Sequence, residues 1–167
     1  MKTSIPITLA AMTLLLLGCS STPVAVAPVG PNPAGGLTNN GGNGQLEVFS
    51  ALKGRTEGNN PTWYQHSSYF IYDGEGNRLE WVDNSPGYYA TAPRLITLPA
   101  GHYVVKAQAK DYFWVQVPVV IEPGRITKVH LDDAWQTPTG TPKTELVSVP
   151  AGYPVGWRAG ALNGIPR

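Results

Sequence analysis

From Leu46 onward this chain cannot sustain a long helix. Nineteen of its 167 residues are glycine and 16 are proline. One or the other interrupts every apolar run before a 3.6-residue period completes three turns. What survives the punctuation is a series of short runs with a period of two. His102 to Lys110 places Tyr103, Val105, Ala107 and Ala109 on one face. Phe113 to Glu122 does the same with Val115, Val117, Val119 and Ile121, and Ile126 to Leu131 with Thr127, Val129 and Leu131. Tyr69–Tyr72 and Arg78–Val82 flank the turn-forming Asp73-Gly74-Glu75-Gly76-Asn77 and read as a hairpin. Leu46 to Leu52 and Arg94 to Leu98 add two further strands. The expected fold is all-β: a small β-sandwich of about seven antiparallel or mixed strands over residues 46–132. Its expected core is Tyr103, Val105, Val115, Val117, Val119, Ile121, Val129 and Leu131. Pro118 lacks a ladder donor, which predicts an edge position or a bulge. Lys106 and Lys110 face outward and read as protection of an edge strand.

The N-terminal part has a different character. Lys2 is followed by no charge until Glu47. The apolar run from Ile5 to Leu17 is shorter than the roughly 20 residues a bilayer span needs, and it fits the central region of a secretory signal peptide over residues 1–18. The run ends in Leu16-Leu17-Gly18-Cys19, with the chain's single cysteine. This resembles the lipobox of bacterial lipoproteins, and the resemblance implies that Cys19 is acylated and becomes the first residue. A single acyl chain anchors only weakly, at about 0.8 kcal/mol per buried CH₂; the family's diacylglyceryl group with a further N-acyl chain meets that need. Processing would remove Lys2 and leave eleven basic and eleven acidic residues. Ser20 stands where the family places Asp as an inner-membrane retention signal, which favours the outer membrane. Residues 19–45 are rich in Pro, Gly and Asn and read as a tether. As coil it would reach on the order of 25–30 Å. Its alternative is a structured Gly-rich strand pair. Residues 133–167 are rich in Thr, Pro and Gly. They are expected to be partly ordered, with one strand candidate at Glu145 to Val149, and Trp135, Tyr153 and Trp157 available to pack on the domain.

Ile96-Thr97-Leu98-Pro99-Ala100-Gly101-His102-Tyr103-Val104-Val105 resembles the start of a strand in the PEGA domain and the related carboxypeptidase-regulatory-like, prealbumin-type sandwiches. Tyr112, Pro123-Gly124 and Thr127 to Leu131 follow in the family's order. Asp111 departs from the Gly that the family usually has before the aromatic. The resemblance implies an accessory, adhesive or scaffold module, and it brings no catalytic residues.

The chemistry the residues could carry is limited. Twelve basic residues against eleven acidic ones give no nucleic-acid footprint. One cysteine allows no intrachain disulfide and no Cys-rich metal site. There is no Gly-x-Ser-x-Gly elbow. His66 falls in a loop. His102 and His130 fall on outward strand faces, and with Asp132 or Asp133 they could hold a metal only if their strands pair. Asp73 to Asn77 places oxygen ligands on alternate residues, but a plain hairpin turn is the simpler reading. No catalytic residue, metal ligand or cofactor is therefore assigned. Five Trp and eight Tyr are the remaining signal. Trp63, Tyr64, Tyr88 and Tyr89 fall in loop-like segments, and Trp114 lies opposite the apolar face of its strand. Such rings either cover the ends of the core or bind a ligand. The expectation is a non-catalytic, membrane-anchored envelope lipoprotein with a β-sandwich binding or structural module. One alternative is a glycan- or peptidoglycan-binding module using those aromatics; an envelope protein is the other candidate partner. A metal-dependent enzyme is the remote alternative.

Overall fold

The computed structural model describes residues 24–37, 41–56, 58, 62–85, 87, 91–110 and 112–160. The signal segment, Cys19, Tyr88 and Tyr89 lie outside the described residues. In chain order the strands are β1 (Val24–Ala25), β2 (Val29–Gly30), β3 (Asn43–Phe49), β4 (Leu52–Arg55), β5 (Trp63–His66), β6 (Tyr69–Tyr72) and β7 (Arg78–Val82). They continue with β8 (Leu95–Pro99), β9 (Gly101–Ala109), β10 (Tyr112–Ile121), β11 (Ile126–His130), β12 (Leu146–Ser148) and β13 (Pro154–Arg158). The only other regular element among the described residues is one 3₁₀ turn, Lys143–Glu145. The fold is all-β, as the two-residue periodicity requires.

Eight strands form one sheet in the order β12-β13-β2-β10-β9-β6-β7, with β1 also paired to β10. A second sheet runs β11-β3-β8, and β4-β5 is a separate hairpin. The core lies between the two larger sheets. Ile71, Val105, Ala107, Val115, Val117, Val119 and Ile121 come from the first, and Leu46, Val48, Leu98 and Val129 from the second, all buried. Alternation explains the match, because on β9 and β10 every second residue points inward. Of the expected core, Tyr103 alone stays partly exposed; its ring packs against the cluster and its hydroxyl donates to Pro99 O at 3.0 Å. Thr127 is fully buried and donates to Val120 O at 2.7 Å, which links β11 to β10 across the layers.

Two sequence expectations need correction. Part of the segment read as tether belongs to the sheet. β1 runs parallel to β10 with Val24 beside Val115, and β2 joins β10 to β13. Val29 is fully buried and Val26 nearly so. Two β-branched side chains in a Pro/Ala context were enough to order this stretch, because β10 and β13 both offered unpaired edges. Arg125 secures the chain beyond it, donating to Asn32 O and Pro33 O and pairing with Glu122 at 3.1 Å. The strand candidate at Glu145 to Val149 contains β12, which with β13 extends the large sheet, and Val147, Val149 and Val155 are buried. At Gly156 an added Cβ would run into Val29 Cγ1 and lie 3.0 Å from Lys128 O, so a side chain there would separate β13 from β11.

Pro118 is not on an edge, and Lys106 does not guard one, since β9 and β10 are interior strands. Val26 N donates to Gln116 O, and residues two apart on a strand face the same neighbour. Pro118 therefore turns its missing N–H toward the break between β1 and β2. There five residues, Ala25 to Val29, are set against four, Gln116 to Val119. The irregularity that the proline demands is carried by the neighbouring segment.

Candidate functional site: an aromatic cleft on the outer sheet face

Cross-strand register builds the floor of the site. Phe70 lies opposite Trp81 across β6 and β7, and opposite Lys106 across β6 and β9. Lys106 in turn lies opposite Gln116 on β10. Directly paired residues share a face, so Trp81, Phe70, Lys106 and Gln116 make one row on the side of the sheet away from the core. Trp114 joins the row, with its ring 6.0 Å from that of Phe70 and tilted by 37°. Cations flank the rings: Lys106 Nζ is 6.0 Å from the Trp114 centroid, and Arg78 lies 5.7 Å over Phe70. Lys106 is thus a platform residue.

The β4-β5 hairpin overhangs this row, and Asp83, Ser85 and Gly87 close one side. Between them is an open cleft of about 820 Å³. Phe70, Trp81 and Trp114 supply its rings, and Lys53, Gln65, Asp83 and Ser85 its polar groups. Trp81 is 55% exposed, large for a tryptophan beside another aromatic pair. Two contacts hold this side. Gln65 Nε2 donates to Gly87 O at 3.2 Å. Asn84, fully buried, donates through Nδ2 to Val48 O at 2.7 Å and Ser50 Oγ at 3.1 Å, while its Oδ1 accepts from Arg94 N at 2.9 Å. A buried amide with its groups satisfied fixes one geometry. The arrangement offers flat apolar faces bordered by groups able to bond hydroxyls, which suits a ring-shaped polar ligand.

Of the sequence-predicted residues, Trp114 lines this cleft. Trp63 is half-buried on β5. Tyr64 is 57% exposed but serves a different surface: its ring lies on Gly54, and with Leu52 it lines a recess of about 350 Å³ on the other side of the hairpin. Phe70 and Trp81 were not singled out by the sequence. Both stand at paired positions of the hairpin that was legible, so outward alternation was the signal that could have found them.

The three histidines lie on three different strands, β5, β9 and β11. His66 lies on β5, not in a loop; it is buried and its Nδ1 is 2.7 Å from Ser50 O. His130 lies on the outward face of β11, opposite Phe49 and alternate to the core residue Val129, yet it is buried there. Its ring stacks between Phe49 at 4.4 Å and Trp135 at 4.7 Å, and Trp135 meets Trp157 edge-on. Burial, with Lys128 and His66 adding repulsion, pushes its pKa down to about 4. His102 is exposed on β9 in the other sheet, and Asp133 is paired with Lys110 at 2.7 Å. Among the described residues no three His, Cys, Asp or Glu side chains are grouped to hold a metal ion. The Asp73 carboxylate is occupied by its own turn, accepting from Glu75 N, Asn77 N and Asn77 Nδ2. The Asn77 amide holds its pKa below the usual carboxylate range.

No protein-family model matches the chain, and neither a curated protein nor a solved structure does.

Proposed function

We propose that this chain is a lipid-anchored, non-catalytic protein of the cell envelope, acylated at Cys19, whose sandwich binds glycan in the aromatic cleft. The cleft reading rests on one observation: Trp81, Phe70 and Trp114 share an outer sheet face and border a cleft of about 820 Å³ with polar walls. Sugar rings present apolar C–H faces and equatorial hydroxyls, and such a surface meets both. The anchor reading rests on Leu16-Leu17-Gly18-Cys19 after a short apolar run, and Ser20 favours the outer membrane. The PEGA-like reading of the domain is supported by the turn at Pro99-Ala100-Gly101. There the chain passes from β8 in the small sheet to β9 in the large one, and Tyr103 returns its hydroxyl to Pro99 O.

Two assays test these parts separately. Intact mass of the protein from membranes should show Cys19 as the first residue, carrying acyl chains; an unmodified Met1 would refute the anchor. The unacylated chain from Ser20 should co-sediment saturably with peptidoglycan or with one of a panel of insoluble polysaccharides. Failure to bind any of them would refute the glycan reading and leave an envelope protein as the partner.

A further inference from the structure

We infer that the end of the sandwich bearing the β4-β5 hairpin rests on the bilayer, through Leu52 and Tyr64. The inference rests on the proposed acylation of Cys19. Only Ser20 to Pro23 separate that cysteine from β1, which begins at Val24. Five residue steps span at most about 18 Å even when fully extended. The ten residues of β10, Tyr112–Ile121, extend about 34 Å at about 3.4 Å each. The anchor therefore cannot hold the whole length of the sandwich clear of the membrane, and the end that carries Val24 is the near one.

Topology fixes what else lies at that end. Val24 pairs with Val115, and Val115 with Ala107, so Val24 is two strand spacings, about 10 Å, from β9. The last turn of β9 meets the ends of the small sheet: Ala51 N donates to Gln108 O, Lys110 N to Leu131 O and Leu131 N to Phe49 O. The β4-β5 hairpin leaves from the same place. In the hairpin Leu52 is opposite His66 and Gly54 is opposite Tyr64, which puts Leu52 and Tyr64 on one face and Lys53 and Gln65 on the other. Leu52 is 48% exposed and Tyr64 57%. Together they border the apolar recess with Ala51, Lys110 and Asp132. An aliphatic side chain and an amphipathic ring beside the stem of Lys110 fit the bilayer interface, where the ring sits at the headgroup level. The cleft takes the side chains of Lys53 and Gln65 from the other face of the hairpin, so seating Leu52 and Tyr64 keeps those groups clear of the membrane.

The full-length acylated protein in vesicles of phosphatidylethanolamine and phosphatidylglycerol tests the inference. Cys19 is consumed by the lipid, so an introduced cysteine is a unique spin-label site. Thr62→Cys samples the hairpin and Asn77→Cys the far turn. The Thr62 label should show a raised ratio of oxygen to nickel-chelate collisions relative to the unacylated protein in solution, and the Asn77 label should not. Replacing Leu52 and Tyr64 together by Ser should lower the Thr62 ratio. So should a flexible Gly/Ser insert of about 20 residues after Ser20, which adds roughly 25 Å of reach. Equal, water-like ratios at both labels on a protein whose mass shows acylation would overturn this inference alone. Absence of acylation in the same mass spectrum would overturn the anchor and this inference together.

Discussion

Removing residues 1–40 would leave β10 and β13 without the strand that joins them. A chain beginning at Gly41 keeps every other strand intact, including all of β3, so the loss can be worked from the contacts of Val24–Pro33 alone. Val26 and Val29 are buried at 8% and 0% exposure. Burial of such a side chain is worth about 1.5–3 kcal/mol, so the pair contributes about 3–6 kcal/mol. The deleted segment also takes the parallel pairing to β10, the pairing of Gly30 and Val29 with Trp157 and Arg158, and the bond from Ala159 N to Pro28 O. Each hydrogen bond adds a net 0.5–1.5 kcal/mol. Domains of this size are stable by only about 5–15 kcal/mol, so most of the margin goes. Thermal unfolding followed by far-ultraviolet circular dichroism, with the chain from Ser20 as reference, is the assay. A midpoint lowered by about 10–25 °C, or loss of the transition, is expected. Val29→Ser in the longer chain should reproduce part of the drop without any truncation. Equal midpoints for the two chains would refute the reasoning, because Val24–Pro33 would then be a passenger on a sheet that closes without it.

Two further outcomes follow from the packing. His130 has a folded pKa near 4 and an ordinary unfolded value near 6.5, so between those pH values only the unfolded chain takes the proton. Stability should be full above about pH 6.5 and fall as pH drops toward 4, by up to about 3 kcal/mol, less about 1 kcal/mol that the flanking rings return to the charged imidazole. Urea unfolding across that range should show the slope, and His130→Phe should remove this part of it; an unchanged slope would contradict the assignment. Gly156→Ala should cost about 1–3 kcal/mol, because the new methyl meets Val29 and Lys128 O. A melting point at or above that of the parent would show that β13 does not press on β11 as described.

Three strands were readable from side-chain alternation alone, since β9 and β10 of the large sheet and β11 of the small one bury every second residue between clear turns. What lay at the margins of the large sheet was harder. Val24–Ala25 and Val29–Gly30 are too short for a period to show, and they become strands only because β10 and β13 present edges to them. β13 was hidden in the same way by the surrounding Pro and Gly, whereas β12 fell within the strand candidate at Glu145 to Val149. The residues just after β7 gave no periodic signal, because they are held by the buried amide of Asn84 and not by strand pairing. The site was half legible. Trp114 could be placed opposite the apolar face by counting, whereas Trp81 entered the cleft through register with Phe70 and through the overhang of a hairpin that local sequence did not foretell. His130 stands on the outward face, as counting placed it, but its burial was not legible because Trp135 arrives over it from the C-terminal segment.

The most direct test of the account measures binding and folding together on the unacylated chain from Ser20. Trp81→Ala and Trp114→Ala are compared with the parent for saturable co-sedimentation with peptidoglycan and insoluble polysaccharides, and for thermal midpoint. Each ring is on the outer face, and an aromatic contact is worth about 0.5–1.5 kcal/mol, so affinity should fall by up to about tenfold per substitution. The midpoint should stay within a few degrees of the parent, about what a surface substitution shifts. Binding that persists unchanged in both variants, or is lost only in step with unfolding, would contradict the claim that this cleft is the working surface.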